Sequence, residues 1–163
     1  MRKMFEIIVV LIILNMITGC SIFKKRGNDN YVLSEYPLDS FKEVENSNNK
    51  LIIKDVNFDY NSSEIKNEFK IDLDAIIVWL KSNNVIIHIL IEGYCDERGT
   101  NEYNLVLGDQ RALSIRAYFI NNGISSERVQ TISYGEEKPI DLNSNEIAWK
   151  KNRRSHFLVS SEK

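Results

Sequence analysis

The chain has 163 residues, of which 43% are hydrophobic and 27% charged, and its formal net charge is −2. Such values are ordinary for one folded domain with appendages. They exclude the basic excess expected of a nucleic-acid binder, and two prolines are too few for a long proline-stiffened spacer.

Arg2 and Lys3 precede an unbroken apolar run from Ile7 to Leu14, flanked by Glu6 and Asn15. The run has the length of a signal-peptide core and falls short of the roughly 18 apolar residues that a membrane span needs. Ile17-Thr18-Gly19-Cys20 follows. This apolar, small, small, Cys order resembles the bacterial lipobox. The resemblance implies a lipoprotein signal peptide over residues 1–19 and lipidation of Cys20; the alternative is an ordinary signal peptide with a chance cysteine. One acyl chain anchors weakly, at about 0.8 kcal/mol per buried methylene, so durable anchoring needs the several chains that such lipoproteins carry. Ser21, in a place where Asp tends to retain lipoproteins at the inner membrane, is compatible with the outer one. Residues 20–49 are rich in Lys, Asn, Ser, Glu and Asp without a clear period, and read as a flexible tether.

Residues 50–163 read as the folded domain. Leu51, Ile52, Ile53, Val56 and Phe58 predict a strand ending at Asp59. Ser62 and Ser63 offer N-cap hydroxyls with Glu64 in the first turn, and Ile65, Phe69, Leu73, Ile76 and Leu80 form the stripe of an amphipathic helix that Asn83 and Asn84 end. The run from Val85 to Ile91 predicts a strand covered on both faces, broken by Gly93. A second helix with Ala112, Ile115 and Phe119 as its stripe runs to Ile120, where Asn122 and Gly123 stop it. Its start has two readings: near Asn101, or a restart at Gly108 with Asp109 in the first turn. A third strand spans Val129 to Tyr134, Glu136 to Asn143 is a loop, a short helix surrounds Ala148 and Trp149, and a last strand follows Arg154. The order predicts an α/β sandwich with helices packed on a mixed four-stranded sheet.

The long helix between the first two strands predicts that they run parallel, with carboxyl ends on one side. Ligands in such sheets bind just beyond those ends. Asp59 and Asp96 would converge there, and a helix restarting at Gly108 would let Arg111 reach Asp96. A carboxylate beside a guanidinium suits a zwitterion; the two side chains can equally pair with each other and pin the loop. If Cys20 is acylated, Cys95 has no disulfide partner within the chain, and reads as a small packed residue rather than a reactive thiol.

Glu92-Gly93-Tyr94-Cys95-Asp96-Glu97-Arg98-Gly99-Thr100, Glu102-Tyr103-Asn104, Leu107-Gly108 and Arg111-Ala112 resemble the motif of the OmpA-like peptidoglycan-binding family. Tyr134-Gly135-Glu136, Lys138-Pro139 and Asn152-Arg153-Arg154 are similar to its later blocks, and Val56-Asn57-Phe58-Asp59-Tyr60 to its opening strand. With a lipobox and no barrel, the chain looks like the peptidoglycan-associated lipoproteins (Pal) of the Tol–Pal system. The resemblance implies non-covalent binding of the diaminopimelate of uncrosslinked stem peptides, with no catalysis, cofactor or metal. Its ligand contacts fall on Phe58, Asp59, Asp96, Thr100, Leu107 and Arg111. Tyr94, Arg98, Asn104 and Arg153 fall on positions that support the loop. It also implies the Tol propeller protein (TolB) and other Tol components as partners, a lipid anchor in the outer membrane with the domain facing the periplasm, and roles in envelope integrity and cell division. Two departures stand out: Tyr94 where the family usually has His, and Cys95 where it has Thr or Ala.

Two rival functions are distinguishable. A cell-wall hydrolase would need catalytic groups, but His88 and His156 are the only histidines, His88 sits in a strand pattern, and HExxH, CxxC, phosphate loop and nucleophile elbow are all missing. A protein-scaffolding envelope lipoprotein with little or no peptidoglycan binding remains the alternative reading.

Overall fold

The computed structural model describes residues 40–42, 53–83 and 86–161. The expected signal peptide, Cys20 and most of the expected tether lie outside the described residues. Among those described, no helix is long and apolar enough to cross a membrane.

The elements are β1 (Val56–Asn57), α1 (Asn67–Ser82), β2 (Ile87–Tyr94), α2 (Asn101–Asn121), β3 (Val129–Gly135), α3 (Glu146–Asn152) and β4 (Arg154–Ser161). They build a four-stranded mixed sheet in the order β1-β4-β2-β3. β2 and β3 are parallel, while β4 is antiparallel to both β1 and β2. β1 therefore points the same way as β2, as expected, but β4 lies between them. The carboxyl ends of β1, β2 and β3 share one side of the sheet.

Strand alternation divides β2 between two environments. Ile87, Ile89 and Ile91 face the helices and pack with Leu73, Ile76, Ile77 and Leu80 of α1, with Ala112, Ile115 and Phe119 of α2, and with Phe157 of β4. Phe119 and Phe157 stack with ring centroids 6.3 Å apart. Leu90 faces the other way, beside Ile132 and Phe41. Every residue of β2 is buried, so its near-continuous apolar run has the two-sided cover it predicted.

Three boundaries differ from the sequence expectation. β1 is only two residues long, because the edge of β4 further along is taken by Lys42, which exchanges both backbone hydrogen bonds with Val159 at 2.8 Å. Phe41 and Lys42, within the expected tether, thus dock on the domain. α1 starts at Asn67, with Lys66 at the N-cap position and no side-chain cap. The carbonyl of Ser62, which an earlier start would turn into the helix, instead accepts from Arg111, as does that of Asp59 just before it. The Ser62 hydroxyl accepts only the local Glu64 N–H.

Gly93 does not break β2. A Cβ there would meet the Gly108 carbonyl oxygen at 1.9 Å, and one on Gly108 would meet Ser133 Oγ at 2.3 Å. The two glycines are the close contact between α2 and the sheet. α2 is one continuous helix from Asn101, capped by the Thr100 hydroxyl accepting from Tyr103 N–H at 3.2 Å. The restart at Gly108 is thereby excluded, and Asp109 and Arg111 lie in its interior, not its first turn. Gly108 is needed for proximity to the strand, not as a helix boundary. That proximity puts Arg111, three residues on, beneath the end of β2.

Candidate functional site

Beyond β2 the chain turns through Cys95 to Thr100 before entering α2, and this loop is held by three arginines. Arg111 is fully buried. Its Nη1 donates to the Tyr94 carbonyl (2.8 Å) and to Cys95 Sγ (3.2 Å), its Nη2 to the Asp59 carbonyl (3.1 Å) and its Nε to the Ser62 carbonyl (2.9 Å). Four of the five guanidinium N–H groups thus meet three carbonyls and a sulfur, none of them an anion. The Phe58 ring lies 5.3 Å from its Cζ. Burial lowers the Arg111 pKa, against the raising influence of Cys95 and Asp96.

Asp96, 3% exposed, is saturated. Oδ1 accepts from the Arg98 backbone N–H and from Arg98 Nε, both at 3.1 Å; Oδ2 accepts from Arg98 Nη2 (2.7 Å) and Arg153 Nη1 (3.0 Å). Burial pushes the carboxyl pKa up, but the hydrogen bonds from Arg98 and then Arg153 outweigh it and hold the group below the usual carboxylate range. The expected Asp96–Arg111 pair is therefore not formed. Arg111 enters the site from the helix interior, where the nearest acceptors are loop carbonyls, while two other arginines reach Asp96 first.

Arg153 is buried and also donates to the Phe58 carbonyl and to Glu146 Oε1. Arg98 is 29% exposed and lies between two aromatic faces, its Cζ 4.2 Å from the Tyr60 ring centroid and 4.0 Å from that of Trp149. Asn104, buried, donates to the carbonyls of Asp96 and Arg98 and to Glu136. Cys95 is a buried free thiol that contacts the Asn104 carbonyl at 3.3 Å; burial drives its pKa up to about 11 despite Arg111.

These groups surround a cavity of about 50 Å³ whose lining includes Asp96, Arg98, Leu107, Arg111 and Arg153. Asp96 and Arg111 are thus brought to one space without touching. Leu107 lines it too. Phe58 does not: its side chain is 1% exposed and belongs to the core. The Thr100 hydroxyl is committed to capping α2. Asp59 is exposed and ion-paired to Lys66 at 2.5 Å, which lowers its pKa. Arg98, Asn104 and Arg153 all hydrogen-bond to the loop. The Tyr94 side chain does not: alternation turns it to the opposite face, where it donates to Glu92, stacks on Tyr134 and lies under Arg154. Only its backbone carbonyl serves the loop.

Sequence reading missed Tyr60, Asn61 and Tyr103 in the lining and Glu146 and Trp149 behind it. One signal was available: with α2 starting at Asn101, Tyr103, Leu107 and Arg111 recur every four residues and share a face.

The fold and site define a mixed α/β domain with an arginine-rich cavity at the carboxyl ends of its parallel strands. A model of the OmpA family matches residues 57–153. A peptidoglycan-associated lipoprotein of Buchnera aphidicola subsp. Baizongia pistaciae is 30% identical across 96% of this chain and 97% of its own length. One from Pseudomonas putida is 40% identical over 97 residues, which is 60% of this chain and 57% of that protein. The crystal structure of the peptidoglycan-associated lipoprotein from Burkholderia pseudomallei aligns with a TM-score of 0.65 at 36% identity, covering 69% of this chain and 95% of that one. The C-terminal domain of Helicobacter pylori MotB has the same fold, with a TM-score of 0.62 at 22% identity over 68% of this chain and 86% of that one. The chain belongs to the OmpA family, in its group of peptidoglycan-associated lipoproteins.

Proposed function

We propose that this chain binds peptidoglycan non-covalently, taking the charged end of a diaminopimelate stem peptide into the cavity beside Arg111. The observation that carries this reading is a fully buried guanidinium that lines a cavity and, among the described residues, has no carboxylate bonded to it. A buried charge without a counter-ion is costly, and a ligand carboxylate supplies one. The acids beside Arg111 are Asp96, whose acceptor sites are filled by Arg98 and Arg153, and the exposed Asp59, and Leu107 gives an apolar wall. Phe58 and Thr100 act from behind, one beneath the guanidinium and the other capping α2.

Anchoring by lipid on Cys20 in the outer membrane, with the domain in the periplasm, makes such binding a tether between membrane and wall that supports envelope integrity and cell division. The function needs no catalytic group, metal or cofactor. The Tol propeller protein and other Tol components are the proposed protein partners, and competition between the propeller and a stem peptide for this domain tests that pairing.

The direct test is sedimentation with insoluble peptidoglycan. Arg111→Lys keeps the charge but loses the fork that meets several acceptors at once. We expect at least a roughly ten-fold loss of affinity, the equivalent of one charge-assisted hydrogen bond. Unchanged sedimentation by a variant with native circular dichroism rejects the assignment.

A further inference from the structure

Asp96 cannot receive an ammonium as it stands. A carboxylate offers about four acceptor sites, and here all are taken, three by Arg98 and one by Arg153. The charged residues of the cavity lining are Asp96, Arg98, Arg111 and Arg153, one acid against three cations. That balance welcomes a carboxylate and repels an ammonium unless a cation leaves.

We propose that Arg98 is a resident cation in the ammonium position, so that a zwitterionic ligand binds by exchange: its ammonium takes over Asp96 as the Arg98 side chain swings outward. This deepens the peptidoglycan reading and rests on it.

Three observations single out Arg98. Its side chain is 29% exposed, whereas that of Arg153 is 5% exposed and Arg111 is wholly buried. It sits on the bend between strand and helix, next to Gly99, whose φ of +120° places that bend in a conformation open chiefly to glycine. It also has somewhere to go. Glu146, 63% exposed, already holds an oxygen 3.6 Å from Arg98 Nη1, and the faces of Tyr60 and Trp149 flank the guanidinium along the way. Arg153 stays with Asp96 throughout, so the acid is never left buried and unpaired.

Exchange makes the ligand's amine a selectivity element and makes Trp149 its reporter, because the cation on its ring moves. The test compares a stem peptide ending in diaminopimelate with the same peptide lacking the distal amine but keeping the carboxylate. Binding is followed in the full chain by Trp149 emission, with Trp79→Phe removing the other tryptophan, and independently by calorimetry. The amine-bearing peptide should bind roughly ten-fold more tightly, as one charge-assisted bond would give, and it alone should change Trp149 emission. In Arg98→Gln the preference for the amine should widen, since nothing has to leave Asp96. In Glu146→Gln, which removes the receiving charge but keeps Arg98, it should narrow. Equal affinity for the two peptides, or amine-dependent binding with unchanged Trp149 emission, overturns the exchange and leaves the peptidoglycan reading intact. Failure of both peptides to bind overturns both.

Discussion

The interior between α1 and the sheet and the cluster beyond the strand ends are equally buried but held by different forces. Leu73, Ile76, Leu80, Ile89 and Phe119 are apolar and interchangeable in kind; their contribution scales with the area they bury. Asp96, Arg111, Arg153 and Asn104 are polar and not interchangeable, because each donor or acceptor has a designated partner. A gap in the first region costs contact. A gap in the second strands a buried charge or carbonyl, which costs more per atom removed. The proposed ligand cavity lies in the second region, so binding there should be coupled to stability.

The largest effect expected is for Asp96→Ala, which leaves Arg153 buried beside a missing anion and frees Arg98. Breaking a buried pair from one side costs about 3–5 kcal/mol, to be read by urea unfolding, with wall binding lost in parallel. Asp96 also sets a pH dependence. Its folded pKa is depressed, so its stabilisation is fully present above the unfolded value of roughly 4 and fades as pH falls through the lower folded value. Unfolding free energies from pH 7 down to pH 2 should show this decline, and Asp96→Asn should flatten it.

Leu73→Ala probes the apolar region and should cost about 2–5 kcal/mol by the lost burial and the cavity left behind. Its effect on peptide affinity, measured under conditions where the variant remains folded, should be negligible. A large affinity loss would dissolve the distinction between the two regions.

Gly93→Ala tests the joint between them. The new methyl would collide with the Gly108 backbone, not with a flexible side chain, so α2 must back away from β2. Overpacking of this kind costs about 1–3 kcal/mol, and the displaced helix should carry Arg111 away from the loop, weakening peptide binding measured by calorimetry. The smallest effect is expected for Thr100→Ala, at about 1 kcal/mol of thermal or urea stability for the lost N-cap. Because the hydroxyl caps α2, affinity should change little.

How much of this was legible in the sequence follows the same division. The stripe of α1 and the two-sided cover of β2 could be read from period and run length, since local geometry dictates which side chains share a face. The late start of α1 could not, because the competing partner for the carbonyls of Asp59 and Ser62 is a guanidinium 49 and more residues away. The same distance explains the site. Local spacing brings Asp96 and Arg111 to one cleft but does not choose the acid's partners: Arg153, the second of them, is 57 positions on.

The sequence by itself determined the elements, the mixed sheet, the family and the residue types available at the strand ends, because these depend on spacing along the chain. The tertiary structure alone decided that Arg98 and Arg153 saturate Asp96, that Arg111 has no carboxylate partner among the described residues, that Phe58 is core and that Tyr94 faces away. Those outcomes are contests among hydrogen-bonding groups from distant segments. They are settled by which backbone comes close enough first, and here the contact of Gly93 with Gly108 sets that approach.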